Sequence, residues 1–343
     1  MMGKPYDFSK NKKFFWGLII LVLCFLLPAA IKSAYYLDML VRVVFWAMVA
    51  GAWNISCGYG GALSLGHTAF FGIGAYVSTI LFLQFGLTPW IGMLAGGFLA
   101  IFFALALGYL SFRLHGPFFV LSTVAFAEVL RIIAIHWRSV TRGSEGLSIP
   151  FKPNWGTFIL HNRLQYAYVA LCLLLLVFLI SYWIERSRFG YQLMAMRGDE
   201  DAAESLGINT LQLKIIASSI SAFLTALGGT FYAQYIMYIE PHNVLGLDFS
   251  VQVALISIIG GMGTAFGPIL GSLFITPLSQ LLRGWFGGGY IGLHFIIYGM
   301  ILIIVVMFIP EGIFTAIWGR KERSSFFRDL ISKWMNKIGV FKT

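Results

Sequence analysis

The sequence predicts an all-α fold, a polytopic transmembrane bundle of about 8–10 spanning helices. Composition is the first reason. Of 343 residues, 59% are hydrophobic and only 11% charged, too few charges to cover a water-facing surface of that size. Second, the apolar residues come in long runs rather than short alternating ones. In hydrocarbon only helices and closed barrels satisfy the backbone, and long runs select helices. Third, the 38 glycines let backbones approach closely in a solvent where no hydrophobic force draws helices together.

At roughly 20 residues per crossing, ten candidate spans follow in order: 14–31, 37–56, 65–85, 90–111, 116–137, 164–184, 215–235, 249–266, 267–282 and 291–309. The first follows a basic segment, as a secretory signal would. It is longer than a signal's apolar core, and Pro28 and Lys32 spoil a cleavage site, so it is expected to stay as a first helix. With the N-terminus inside, sixteen Lys and Arg fall in the cytoplasm and six outside, which places both termini in the cytoplasm. The net charge of +10 is mostly this bias; it suits anionic membrane lipid and calls for no nucleic acid. Residues 1–13 then form a basic cytoplasmic tail, 14–310 the membrane domain and 311–343 a second basic tail. In that second tail, Phe326, Phe327, Leu330, Ile331, Trp334, Met335 and Ile338 recur near a helical period, the pattern of a helix lying on the membrane or docking on a partner. Cys24, Cys57 and Cys172 lack metal or disulfide spacing and are expected to be small core residues.

Two Gly-rich stretches interrupt the spans. Residues 58–76 hold six glycines, preceded by Asn54 and interleaved with Ser64, His67 and Thr68. Such a stretch is either unwound backbone lining a pathway or a tight turn leading into a close-packed helix. The second, 260–271, lies in the other half, so an internal repeat with broken or re-entrant segments is expected to meet at a central pathway. Asn54, Ser64, His67, Thr68, Glu128 and Arg131 are the pathway candidates. Glu128 and Arg131, three apart within the fifth span, form either a polar lining for a zwitterionic or amide solute or a structural ion pair, in both cases inside the bundle. Asp38 and Arg42, four apart near the outer end of the second span, form an interfacial pair.

Residues 185–214 are a long polar interval between apolar runs. At its centre, Asp199, Glu200, Asp201, Ala202, Ala203, Glu204, Ser205 and Leu206 form a short helix with acids at its N-terminal end and Gly207 at the left-handed position after it. A rigid helix displayed between spans is a docking surface; the plainer alternative is an amphipathic loop. The chain carries no phosphate-binding loop, zinc helix or nucleophile elbow, so no enzyme and no bound cofactor are expected.

Three blocks in this order resemble the LivM-type permease subunits of branched-chain amino acid ABC importers. They are residues 58–76; residues 113–146, with Glu128, Arg131 and the run Thr141-Arg142-Gly143-Ser144-Glu145-Gly146; and Met196-Arg197-Gly198-Asp199-Glu200-Asp201-Ala202-Ala203 with Gly207. The resemblance covers roughly residues 35–315. It implies a membrane subunit that pairs with a sister permease, sits on two ATPase subunits that hold ATP and magnesium, and receives solute from an extracytoplasmic binding protein by alternating access. Asp201-Ala202-Ala203-x-x-x-Gly207 is similar to the Glu-Ala-Ala-x-x-x-Gly coupling element of such permeases, with Asp for Glu and without the Ile-x-Leu-Pro that follows it there. Arg197, Asp199, Glu200, Asp201, Ala202, Ala203, Glu204 and Gly207 are thereby implied as ATPase-coupling residues. A urea or short-amide importer shares this architecture, and a stand-alone secondary transporter or channel is the rival from another class.

Overall fold

The computed structural model describes residues 27–112, 114, 116–151 and 153–286, and then 299, 300, 303, 307 and 312–314. Most of the first and tenth predicted spans, the amphipathic tail and Cys24 lie outside these residues. Within them the chain is a helical membrane protein with seven helices long and apolar enough to cross a bilayer, and a shorter apolar one at Gly267–Leu282.

The helices are α1 (Ala34–Trp53, continued by a π-helical turn Asn54–Gly58), α2 (His67–Phe85), α3 (Pro89–Ser111), α4 (Pro117–His136), the short α5 (Arg138–Thr141), α6 (Arg163–Arg186), α7 (Arg188–Gly198), α8 (Glu200–Ser205), α9 (Thr210–Ile236), the short α10 (Pro241–Val244), α11 (Leu247–Gly260) and α12 (Gly267–Phe286). Prolines open α3 and α4 in their first turn, where a missing N–H costs nothing. The predicted span at 249–266 is corrected: its helix ends at Gly260, because Gly261 (φ +123°) and Gly263 (φ +76°) leave helical backbone. The polar interval 185–214 is mostly helix, since α6 runs to Arg186, α7 and α8 fill the middle, and α9 begins at Thr210 with Lys214 buried in it. Cys57 is buried as expected, but Cys172 is exposed on α6, so it is no core residue.

A two-residue strand pair, β1 (Leu147–Ser148) with β2 (Tyr238–Ile239), is antiparallel with Leu147 opposite Ile239. It gathers the 137–162 and 237–246 connections at one end of the bundle, here the strand-pair end. Arg163 Nη1 donating to Ala34 O (3.0 Å) and Trp90 Nε1 to Trp155 O (2.9 Å) bring the starts of α6, α1 and α3 to the same end. The two Gly-rich breaks, α7 and α8 occupy the opposite end.

α9 is the hub, packed on α3, α2 and α1; α1 in turn carries α6, α12 and α11. The α2–α9 crossing is tight because Gly74 faces the backbone of Ala226 and Gly229 faces that of Phe71 and Ala75; a Cβ at either position would run into main chain. Thr230 Oγ1 donates to Gly74 O (3.0 Å) across the crossing. Three serines fasten α1: Ser221 of α9 donates to Ala52 O (2.7 Å), Ser257 of α11 to Ala50 O (2.9 Å) and Ser272 of α12 to Val43 O (2.6 Å). Interhelical bonds in membranes average only about 0.6 kcal/mol each, so these three set register more than they add stability. Large apolar residues point outward along α3 and α4, among them Phe98, Phe102, Phe118 and Leu121, as lipid-facing or partner-facing helices require.

Gly74→Val and Gly229→Val should each lower the thermal midpoint of the detergent-solubilised protein, at an overpacking cost of about 1–3 kcal/mol or more. Unchanged midpoints would show that this crossing has room to spare.

Candidate functional site

The site is built where the chain leaves helix geometry. After the π-helical turn, the chain reverses at Gly61 (φ +78°), and residues 61–66 return beside the last turn of α1, where Ser64 O accepts from Trp53 Nε1 (2.8 Å). The second break, residues 261–266, joins α11 to α12. Asn54, fully buried, joins the two: its Oδ1 accepts from Gly263 N (2.9 Å) and its Nδ2 donates to Thr264 O (3.0 Å). A carboxamide used this way imitates a peptide and satisfies backbone groups that no helix serves.

Arg197, at the end of α7, is the second clasp. Its Nη1 donates to Gly58 O (2.7 Å) and, at 3.4 Å, to Met262 O, reaching one carbonyl from each break. The peptide carbonyls draw the cation toward both.

Three capped helices follow one another here. Ser187 accepts from Gly190 N (3.1 Å) before α7, Asp199 from Ala202 N (3.0 Å) before α8 and Asn209 from Gln212 N (3.0 Å) before α9. Glu200 and Asp201 lie in the first turn of α8, favourable against the dipole. Its far end closes as the sequence predicts: Gly207 (φ +83°) donates to Glu204 O (2.9 Å) and Ile208 N to Ala203 O (3.1 Å), a Schellman pair. Glu200 pairs with Lys214 and Glu204 accepts from Thr210 Oγ1, so both ends of α8 are tied to α9. The paired alanines divide. Ala203 is 2% exposed and packs inward, whereas Ala202 and Asp201 face out beside Leu206, 82% exposed. A cavity of about 390 Å³ separates the α7–α8 junction from the start of α4, between Arg197, Glu200 and Lys214 on one side and Phe119 and Val120 on the other.

The remaining predicted pathway residues fall into two groups. Ser64, His67 and Thr68 are buried: Ser64 Oγ accepts from Gly66 N (3.3 Å), His67 Nε2 is 2.8 Å from Ser221 Oγ, and Thr68 N donates to Ser250 Oγ (2.9 Å) while its hydroxyl reaches Val244 O and Gly246 O. They bind the re-entrant stretch to α9 and α11. Glu128 and Arg131 are paired as predicted (Arg131 Nε to Glu128 Oε2, 2.8 Å), but not inside this chain's bundle. The Glu128 side chain is 43% exposed on the open face of α4, the least buried of the seven long helices. Arg131 Nη1 also lies 3.2 Å from His242 Nδ1. Among the described residues no group of His, Cys, Asp and Glu is placed to hold a metal.

Residues 35–309 match the family described as branched-chain amino acid transport system / permease component. The chain belongs to that family. It is similar to the high-affinity branched-chain amino acid transport system permease protein LivM of Escherichia coli K12, 26% identical over 327 residues covering 89% of this chain and 75% of that protein. The LivM of Salmonella typhimurium LT2 is 25% identical with the same coverage. A shorter stretch is similar to the autoinducer 2 import system permease protein LsrC of Photorhabdus luminescens, 28% identical over 145 residues, 40% of this chain and 42% of that one. No solved structure matches. The chain is thus a LivM-type permease of an ABC importer, embedded in the membrane.

Asn54 and Arg197 stand out in the sequence without their partners, whereas Lys214 and Thr210 have the look of ordinary boundary residues ahead of an apolar run. Asn54→Leu should lower the thermal midpoint, since stranding Gly263 N–H and Thr264 C=O costs about 1–3 kcal/mol per group. Arg197→Ala should leave the protein folded yet cut transport at least tenfold while the assembled importer still hydrolyses ATP. Normal uptake in that variant would remove Arg197 from the coupling route.

Proposed function

We propose that this permease moves leucine, isoleucine and valine inward by alternating access, driven by ATPase subunits that dock on α8. The docking reading rests on one observation: α8 is rigid, capped at both ends and tied inward, yet presents Asp201, Ala202 and Leu206 outward with no covering side chain among the described residues. A partner groove takes such a helix as a single unit, and a rigid unit passes displacement on rather than absorbing it. The route inward is short. Movement of α8 carries Lys214 on α9, and movement of the α7 end carries Arg197, which holds both Gly-rich breaks. The cavity beside α4 gives this junction room to shift without compressing packed side chains.

In this reading the α8 end faces the cytoplasm, the strand-pair end receives solute from a binding protein, and ATP with magnesium stays on the ATPases. The open face of α4 supports a sister permease. A charged pair half open on a membrane-spanning helix is costly against lipid, and a second subunit laid on Glu128 and Arg131 turns that face into the wall of a water-filled pathway. The branched-chain assignment draws on what the LivM relatives are named for; selectivity rests largely with the binding protein, because a tight midplane site would slow release.

Cells carrying this importer should accumulate labelled leucine in an ATP-dependent manner, blocked by isoleucine and valine and not by urea. Blocking by urea alone would reassign the cargo to amides, and uptake surviving ATP depletion would point to a secondary transporter. Leu206→Glu, at a position that supports no internal packing, should abolish uptake and co-purification of the ATPases while leaving membrane insertion intact. Retained co-purification would sink the docking claim. An Ala203→Glu variant should also lose uptake, but with a lower melting temperature, because Ala203 faces inward.

A further inference from the structure

The half of the bundle nearer the strand-pair end holds a cavity of about 310 Å³ that the coupling route does not use. It lies between α1, α9, α11 and α12, with Arg42, Trp46, Tyr232, Asp248, Gln252 and Gln280 in its lining. Small-molecule sites run from roughly 300 to 1,000 Å³, so this one suits a ligand at the small end.

Its charges are arranged for a guest. Arg42 is oriented by Asp38, which accepts from Arg42 Nε at 2.8 Å through Oδ2 and from the Tyr235 hydroxyl through Oδ1. That bond uses Nε alone, and among the described residues Nη1 and Nη2 have no protein partner. Asp248, in the first turn of α11, is in no ion pair among the described residues. A cation held in place by Asp38 and an exposed carboxylate on a different helix of one small cavity, not joined to each other, match a molecule that carries both charges. The walls are firm: Phe45 stacks on Phe231, and Trp46 lies against Phe249 with ring centroids 5.3 Å apart. His242 also lines the cavity and lies within bonding distance of Arg131, so the cavity borders the α4 face that carries Glu128.

We propose that this cavity is a waiting site for a free zwitterionic α-amino acid on the extracytoplasmic side, with Arg42 taking the carboxylate, Asp248 the ammonium, and Trp46 and Tyr232 the side chain. It rests on the amino acid importer reading above and adds to it a site within one subunit, apart from the face shared with a sister permease. A phosphoethanolamine headgroup offers the same pair of charges with N–H donors for Asp248, which the quaternary ammonium of phosphocholine lacks, and the membrane composition in the test separates the two.

The test is equilibrium binding of tritiated leucine to the whole importer in phosphatidylcholine nanodiscs, without binding protein or nucleotide, beside uptake by the same importer in liposomes. Saturable binding is expected, displaced by isoleucine and valine but not by 4-methylpentanoate, which lacks the ammonium, or by isoamylamine, which lacks the carboxylate. Asp248→Asn and Gln252→Ala should each weaken it at least fivefold. Should Asp248→Asn misassemble on size exclusion, Gln252→Ala carries the test. Uptake without saturable binding, or binding unchanged in the assembled variants, would overturn the waiting site and leave the transport reading intact. Loss of leucine binding as phosphatidylethanolamine replaces phosphatidylcholine would assign the cavity to a headgroup and overturn the proposal too. Absence of leucine uptake would overturn the transport reading and the waiting site with it.

Discussion

A helix broken inside a membrane exposes peptide groups that hydrocarbon cannot satisfy, and in this chain the side chains of Asn54 and Arg197 supply partners at the two breaks. Asn54 lends its carboxamide to Gly263 and Thr264 as if it were a strand neighbour, and Arg197 closes the arrangement from the polar side by reaching Gly58 and Met262. Much of the rest depends on this exchange. Without it, Gly263 and Thr264 at the corner between α11 and α12 would lose their partners, and the end of α1 would lose its ties to that corner and to α7. The same two side chains join the membrane core to the polar segment outside it, so the features that make the breaks tolerable also make them responsive to α7 and α8.

Much of the fold was legible because membrane solvation writes long, unambiguous runs, and most helix ends fall within a few residues of the apolar boundaries. The Gly207 cap and the pairs Asp38–Arg42 and Glu128–Arg131 were legible for another reason: each is local, fixed by spacings of three or four residues or by a φ that favours glycine. What stayed hidden is what depends on distant partners. Asn54 meets residues some 210 positions away, and nothing in its neighbourhood announces that. The strand pair is two residues long on each side, too short for any alternation to register.

Facing was hidden as well. A helix apolar all round gives no periodic sign of which side meets protein and which meets lipid. That is why Glu128 was expected inside the bundle and is found on the open side of α4. The paired alanines at 202 and 203 posed the same problem at smaller scale: identical side chains, one outward and one inward, distinguished only by how α8 sits on α9.

The three serine bonds to α1 have a mechanical consequence. They come from α9, α11 and α12 and land on carbonyls along the second half of α1, Val43 at its middle and Ala50 and Ala52 near its C-terminal end. Sliding α1 along any of these three neighbours would break at least one, which favours movement of the four helices together; α4 is tied more lightly, by Thr123 Oγ1 accepting from Leu65 N (3.2 Å) and by Arg131 beside His242. The cavity holding Arg42 and Asp248 is walled by those same four helices and by His242 and Asn243 of the short α10. Where these walls keep their spacing through the cycle, the cavity holds a ligand equally well in both states, and such a ligand cannot tip the balance between them. Its occupancy would record the solute concentration outside without itself triggering the cycle.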